Sequence, residues 1–259
     1  MKKELEESIE RTYKSIQRSI PSAQIDSLEV VKQVEEYRQF WKPKETNVVL
    51  LAESHVYTDE KDFEIELNSF ILHRIITNYP LRFVRFVYCL GYGENELLTR
   101  TRIDRKNTGT PQFWKIFSSC VAESEDYLGF NKILKTRTRS FIPRLHNKVS
   151  VLQEMKEKGI WLLDASIVGL YESGLKKYPV TCDRIIEDCW YNHVGRIVKH
   201  AQPRHVIVIG KGVGKNLHSE LQKLSVPITI VRQPQGDRRS SEKQLEKFIK
   251  CQRICTRYT

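Results

Sequence analysis

Four short apolar runs constrain the fold of this chain more than any other feature of its 259 residues. Consecutive apolar residues over such a length are typical of strands that are buried on both faces, as in a parallel sheet. Stretches with a helical spacing of apolar residues separate the runs, and this alternation predicts helices on both faces of the sheet. The runs span residues 47–52, 160–163, 206–209 and 227–231.

The predicted architecture is α/β, a three-layer α/β/α fold around a central, mainly parallel sheet of about four to five strands. Residues 83–88 alternate enough to add a strand nearer the sheet edge. We expect residues 1–45 to form an N-terminal helical layer and residues 46–259 to form the α/β/α domain, within one structural unit. The main helices are predicted at residues 63–77, 148–158, 182–201, 213–223 and 240–254.

The bulk composition restricts the class of protein. The sequence has no uncharged apolar run long enough for a transmembrane helix, and its first residues lack the apolar segment of a signal peptide. We therefore expect a cytoplasmic monomer that contacts no membrane. The six cysteines include no Cys-x-x-Cys pair, so free buried thiols are favoured over a zinc site or cluster, and we expect no metal and no cofactor.

Basic residues are concentrated in two segments. The formal net charge of +11 favours a polyanion as partner, although that value alone is equally compatible with a basic enzyme that has no such partner. Residues 127–153 contain no Asp or Glu, while Lys and Arg accumulate between residues 132 and 148. A second basic segment begins at Arg232. Together the two segments predict a groove for the phosphates of DNA.

Polar residues follow each predicted strand, at the end of a parallel sheet where ligands bind. Glu53 and His55 follow the first strand, and these side chains are suited to orienting water and to acid or base catalysis. The alternative is a surface loop without a ligand. Asp164 follows the second strand, where it either caps the next turn or accepts a hydrogen bond from a ligand amine.

The segment "GKGVGKN" at residues 210–216 invites comparison with a nucleotide-binding P-loop. That loop has four residues between its first Gly and the Gly-Lys pair, which Ser or Thr follows. Here three residues intervene, and Asn216 replaces the hydroxyl. We therefore expect a tight turn into a helix that donates amides to a phosphate, rather than nucleotide hydrolysis.

Taken in order, these segments resemble motifs of the uracil-DNA glycosylase superfamily over roughly residues 46–248. "VVLLAESHV" resembles the family's first strand and acidic loop, with Glu53 at the acidic position. "GTPQFWKIF" resembles a helix start of the mismatch-specific branch. "KGIWLLDASIVGL" resembles the strand whose Asn reads uracil, with Asp164 at the Asn position. "PRHVIVIGKGVGK" resembles the third strand, and "VRQPQGDRRS" the closing minor-groove loop, with Gln233 in place of His.

The resemblance implies a DNA glycosylase that flips a nucleotide out of double-stranded DNA and hydrolyses its N-glycosidic bond. Glu53, His55 and Gln233 are the implied catalytic residues, and Asp164, Ser54 and Tyr57 the implied base-recognition residues. The implied DNA-binding residues are Lys211, Arg232, Arg238, Arg239, Arg137 and Arg139.

The acid at position 164 changes the expected substrate. An Asn amide donates to O4 of uracil, whereas an ionised Asp only accepts and suits the exocyclic amine of a cytosine derivative. The superfamily is thought to include prokaryotic defence enzymes that attack glucosylated hydroxymethylcytosine in phage DNA, and we expect a modified base of that kind. The opposing possibility is a protonated Asp164 that mimics Asn.

Rival functions stay open on the sequence alone. The chain is also compatible with a uracil-DNA glycosylase, because a protonated Asp164 would restore the donor. A non-catalytic DNA-binding module would use the same basic residues. A nucleotide-binding α/β module would use the turn at residues 210–214.

Overall fold

The four apolar runs form a four-stranded sheet in which all strands are parallel. The computed structural model of the chain describes residues 2–20, 25–100, 106–234 and 240–259. The strands are β1 (Val48–Ala52), β2 (Ile160–Asp164), β3 (His205–Ile209) and β4 (Ile228–Val231). The strand order is β2-β1-β3-β4, and Val48 of β1 pairs with Ile160 of β2 and with His205 of β3. The prediction of an α/β fold is confirmed.

Burial explains why the strands are continuous apolar runs. Every residue of β1, β2 and β3 is buried, whereas β4 is buried fully only at Val231. A strand covered by helices on both faces has no side that tolerates polar residues, so it does not alternate. β4 lies at the edge of the sheet and carries the polar Thr229 in the middle of its run.

Helices cover both faces of the sheet. They are α1 (Lys2–Ser19), α2 (Leu28–Phe40), α3 (Glu60–Phe63), α4 (Ser69–Leu72), α5 (Pro111–Val121), α6 (Phe130–Ile133), α7 (Phe141–Glu157), α8 (Pro179–Cys189), α9 (Gly195–Ala201), α10 (Lys211–Asn216), α11 (His218–Gln222) and α12 (Ser241–Tyr258). On one face α5, α7 and α12 pack together, with α7 against β2 and α12 against β3. On the other face α1 packs on α8, while α10 packs against β3 and β4.

The predicted edge strand at residues 83–88 is wrong. The backbone N–H of Arg85 donates to Thr58 Oγ1 at 2.9 Å, and the Arg85 carbonyl accepts from the Val56 N–H at 3.1 Å. The segment therefore bonds to the loop after β1 instead of to a strand. The cause is the buried Arg85 side chain, which needs the Asp62 carboxylate as a partner at 2.6 Å.

Three of the predicted helices are interrupted. Residues 63–77 contain the last residue of α3 and the short α4, which Asn68 begins by accepting a hydrogen bond from the Ile71 N–H. The helix predicted at residues 182–201 is α8 and α9 joined by a π-helical turn, Trp190–Val194. Residues 213–223 form the end of α10 and a separate α11. A polar cap at Asn68 begins α4, and a shift in the backbone hydrogen-bond register forms the π-helical turn. Neither feature is visible as apolar spacing in the sequence.

The N-terminal helices belong to the same packed body as the sheet. Ile9 and Ile16 of α1 and Val34 of α2 are buried in the common core. The indole Nε1–H of Trp161 in β2 donates to the Arg38 carbonyl of α2 at 3.0 Å. Among the described residues, none of the helices combines the length and the apolar character needed to cross a membrane.

Candidate functional site

Loops from three strands meet at the carboxyl edge of the sheet through Glu53, Tyr171 and Gln233, which we call the edge cluster. The Tyr171 hydroxyl donates a hydrogen bond to Glu53 Oε2. The amide of Gln233, just beyond β4, donates to the Tyr171 hydroxyl oxygen at 3.2 Å. The structure therefore brings together Glu53 and Gln233, which lie 180 residues apart in sequence, and inserts Tyr171 between them.

Tyr171 is the member of the edge cluster that the sequence analysis missed. Burial raises the pKa of Tyr171 above its usual value, and the nearby Glu53 carboxylate raises it further. The phenol therefore remains a hydrogen-bond donor over the pH range in which enzymes usually act. The sequence signal that could have identified Tyr171 is its position in the loop after β2, because that loop begins at the same carboxyl edge of the sheet.

The loop after β1 is held against the loop after β2 by Ser54, Tyr57 and Gly169. Ser54 Oγ accepts from the Leu170 N–H at 3.1 Å, and the Tyr57 N–H donates to the Tyr171 carbonyl at 2.9 Å. A Cβ atom on Gly169 would lie 2.5 Å from the Tyr57 nitrogen, so only glycine permits this approach. Ser54 and buried Tyr57 thus fix the backbone that carries Glu53 and Tyr171.

Behind the edge cluster lies a buried row of ionisable side chains, Asp26, His55, Asp164, Arg38 and Glu35, which we call the internal charge chain. His55 Nε2 lies 3.2 Å from Asp26 Oδ2, and His55 Nδ1 lies 3.8 Å from Asp164 Oδ2. The Arg38 guanidinium donates to Asp164 Oδ2 at 3.1 Å and also to Glu35 Oε2. All five side chains are buried.

Burial and charge act in opposite directions within the internal charge chain. Burial lowers the pKa of His55, but the Asp26 and Asp164 carboxylates outweigh burial and raise that pKa to about 9. Burial likewise raises the pKa of Glu35, but Arg38 and His193 outweigh it and lower the pKa to about 2. His55 is therefore cationic and Glu35 anionic at neutral pH, and each buried charge lies beside one of opposite sign.

The N-terminal helical layer reaches the candidate site through Asp26. Its carboxylate accepts from the Thr58 N–H at 2.8 Å and from the Gly169 N–H, so it ties together the loops after β1 and β2. No sequence motif marks Asp26. Its role depends on the close approach of two loops that lie far from it in the chain.

Asp164 lies inside the protein, at the carboxyl end of β2. The residue is buried, and its Oδ2 accepts from Arg38 and lies close to His55. His55 is buried too, behind the edge cluster. The predicted contact of Asp164 with a base amine and the predicted acid or base role of His55 stay predictions. The contacts with Asp26 and Arg38 make the two residues members of the internal charge chain.

The glycines of the segment at residues 210–216 have structural explanations. Gly210 has a φ of +123°, which only glycine adopts without strain, and it leads directly into α10. A Cβ atom on Gly214 would lie 2.6 Å from Ile230 Cδ1, so this glycine lets α10 approach β4. Tight helix-to-sheet packing therefore accounts for the motif that resembles a P-loop.

The predicted DNA-binding residues that the structure describes are all exposed. Lys211 and Arg232 are exposed directly after β3 and β4, and Arg137 and Arg139 are exposed just before α7. Arg238 and Arg239 lie outside the described residues.

Two other bases of the acid-free segment are not on the surface. Arg144 and Lys148 are buried and both bind Glu94, with the Lys148 Nζ at 2.6 Å from Glu94 Oε1. The segment at residues 132–148 therefore presents fewer cations to a polyanion than its sequence indicates. Arg144 and Lys148 belong instead to a buried ion-pair cluster with Glu94.

Cysteine and acid positions give no metal site in the part of the chain that is described. No group of three or more His, Cys, Asp or Glu side chains there has the geometry to hold a metal ion. All six cysteines are buried free thiols. Cys120 lies beside Cys251 and Cys255, and hydrogen bonding of its S–H to these neighbours, together with burial, raises the pKa of the Cys120 thiol.

A cleft of about 1110 Å³ lies away from the edge cluster, between α1, α2 and α9. Trp161, at the amino half of β2, lines it together with His193. The cleft touches the internal charge chain at Glu35. By its concave shape alone, this cleft would be the candidate functional site. We place the candidate site at the carboxyl edge of the sheet because polar side chains from three loops converge there.

Comparison of the chain with protein-family models, with curated proteins and with solved structures finds no match.

Proposed function

We propose that the chain is a DNA glycosylase that removes a modified base by hydrolysing its N-glycosidic bond. The observation that supports the proposal most is the edge cluster: a carboxylate at the end of a central strand, held by a phenol and an amide from two other loops. The motifs that resemble the uracil-DNA glycosylase superfamily place Glu53 and Gln233 in the catalytic loops, and these two residues meet here. Exposed Lys211 and Arg232 flank the same edge and would bind phosphates.

The proposed reaction uses Glu53 to position and activate water. As the bond between the sugar carbon and the base nitrogen breaks, its electron pair leaves with the base and positive charge develops on the sugar. The Glu53 carboxylate stabilises that charge and accepts a proton from water, whose oxygen bonds to the sugar carbon. The base takes up the proton at the end of the turnover, and Gln233 donates a hydrogen bond to the departing base.

The proposed base is a cytosine derivative, because an acid stands where the family has a uracil-reading Asn. Arg38 and His55 hold Asp164 Oδ2, so the contact with an exocyclic amine would fall to Oδ1. A hydrogen bond from Arg38 keeps the carboxylate oriented as an acceptor. Phage DNA with glucosylated hydroxymethylcytosine is the substrate that best fits this proposal.

The test is mass-spectrometric detection of bases released from duplexes that contain uracil, cytosine, hydroxymethylcytosine or glucosylated hydroxymethylcytosine. We expect release of a modified cytosine by the wild-type chain, and at least about a hundredfold slower release by Glu53→Gln, because the water loses its base. The matched control is Glu157→Gln. Glu157 is exposed at the end of α7, next to the amino end of β2, and its loss should leave the rate unchanged.

Three results would overturn the proposal. Unchanged base release by Glu53→Gln would remove the edge cluster from catalysis. Release of uracil in preference to every cytosine derivative would indicate a uracil-DNA glycosylase instead. Duplex binding by the wild-type chain without release of any base would indicate the non-catalytic DNA-binding module.

A further inference from the structure

Two apolar side chains project into solvent immediately after the loop that carries Tyr171. Tyr178 is 63% exposed and Val180 is 67% exposed, which makes them among the most exposed large apolar side chains of the described residues. They lie at the start of α8, on either side of the exposed Pro179. We call Tyr178 and Val180 the apolar tip.

The apolar tip stands on a rigid base. Leu175 is buried beneath it, and the Leu175 carbonyl accepts from the Tyr178 N–H at 2.8 Å and from the Cys182 thiol at 3.3 Å. The Cys182 N–H donates to the Tyr178 carbonyl at 3.1 Å, and Pro179 restricts the first turn of α8. These bonds fix the backbone at the start of α8, from which the two exposed side chains extend.

Cations surround the apolar tip. Lys177 precedes Tyr178, Arg184 lies one helical turn beyond Val180, and Lys211 begins α10, which packs against α8; all three are exposed. Asp183 and Glu172 are the nearest exposed acids in sequence. The backbone carbonyl of Asp183 accepts a hydrogen bond from the side-chain amide of Asn216 in α10, so α10 is bonded to α8 at this point. An aromatic side chain among Lys and Arg is the combination with which proteins bind unstacked bases and phosphates.

The apolar tip also lies within reach of the edge cluster. Tyr178 lies seven positions after Tyr171, a span of at most about 25 Å even for a fully extended chain. The 3₁₀ turn at Leu175–Lys177 shortens that span. Successive bases on a DNA strand are about 3.4 Å apart, so the tip and the cluster would face positions no more than about seven nucleotides apart.

We propose that the apolar tip is a DNA-contact surface on which Tyr178 stacks against bases left unpaired when a nucleotide leaves the helix, with Val180 beside it. The choice of DNA as partner rests on the proposed function. The surface would favour duplexes with a gap in their base stack over fully paired duplexes, because only a gap gives the ring a base face to contact. Lys177 and Arg184 would hold the flanking phosphates.

The experiment compares binding of the wild-type chain and the Tyr178→Ser/Val180→Ser variant to three labelled DNAs by fluorescence anisotropy. The DNAs are a fully paired duplex, the same duplex with one abasic position, and a single strand. Neither changed side chain contributes to the core, so the variant should fold, and circular dichroism checks this. The matched control is Tyr191→Ser, which removes another exposed aromatic ring, one that bonds to Glu220.

We expect the double variant to bind the abasic duplex about 5- to 100-fold more weakly, the range for loss of a stacking aromatic ring. Binding to the fully paired duplex should change less than about twofold. The dependence of affinity on salt should keep its slope, because the variant removes no phosphate contact. Tyr191→Ser should match the wild type on all three DNAs.

Equal loss on all three DNAs, or no loss on the abasic duplex, would overturn the proposal. A monomer–dimer equilibrium that disappears in the double variant, with DNA binding unchanged, would assign the tip to a second copy of the chain and would also overturn it. Base release is measured separately. Wild-type-like binding with intact base release would refute the tip alone, whereas selective loss of abasic binding without base release in any sample would refute only the glycosylase.

Discussion

Alkaline pH should destabilise the fold through His55. The Asp26 and Asp164 carboxylates outweigh the effect of burial and raise the pKa of His55 to about 9 in the folded chain, whereas an unfolded imidazole titrates near 6.5. A folded pKa above the unfolded value means that folding binds the proton more tightly. The resulting stabilisation is fully present below about pH 6.5 and is lost as pH rises through about 9.

The size of this effect follows from the two pKa values. At about 1.4 kcal/mol for each pH unit between them, the interval from 6.5 to about 9 corresponds to about 3 kcal/mol. About 2 kcal/mol of that should disappear between pH 6 and pH 8. For a domain whose total stability is of the order of 5–15 kcal/mol, this loss is easily measured.

Urea unfolding followed by circular dichroism at pH 6, 7 and 8 measures the predicted loss. Unfolded thiols titrate near pH 8.5 and begin to ionise at pH 8, so the step from pH 6 to pH 7 reports most directly on His55. Burial lowers the pKa of His205, so His205 contributes stability above about pH 6.5 and loses it as pH falls, in the opposite direction to His55. His55→Gln is the control and should remove most of the pH dependence. An equal slope in the variant and the wild type would refute the assignment to His55.

Three further predictions concern packing and charge. Arg38→Met leaves two buried carboxylates without their cation and should cost about 3–5 kcal/mol in urea unfolding; a cost below about 1 kcal/mol would contradict the internal charge chain. Gly169→Ala should cost about 1–3 kcal/mol because its Cβ would meet the Tyr57 nitrogen at 2.5 Å, while Gly212→Ala, where no described atom lies within 4 Å, should be neutral or stabilising. Because the pKa of Glu35 falls to about 2, stability present above about pH 4.5 should be lost as pH falls towards 2, and Glu35→Gln should flatten that acid limb.

The sheet was predictable because its strands are buried on both faces and therefore leave continuous apolar runs. The segment at residues 83–88 looked similar, yet one buried Arg85 diverted its backbone to the loop after β1. The predicted helix at residues 63–77 failed because Asn68 bonds to the backbone and starts a new turn. Apolar periodicity reports burial, whereas these breaks depend on single polar contacts.

The candidate site was predictable only where strand ends mark it. Glu53 and Gln233 follow strands and converge at the carboxyl edge, as parallel topology requires. Tyr171 and Asp26 lie in loops that no motif marks, and their contacts exist because Gly169 lets two loops touch. Similarly, the charge of Arg144 does not reveal its burial against Glu94, which lies 50 residues earlier.

The strand order has a consequence for how the chain acquires its structure. The first strand to leave the ribosome is central in the sheet, and Val48 must wait for Ile160 and His205, which lie 112 and 157 residues later. Until those strands arrive, an entirely apolar strand has no neighbour on either side. Parallel pairing over such separations is slow, and the interval exposes the chain to aggregation. A nascent chain stopped before β3 would therefore hold Glu53 and Tyr171 but leave one side of β1 unpaired, and we expect such fragments to need a chaperone.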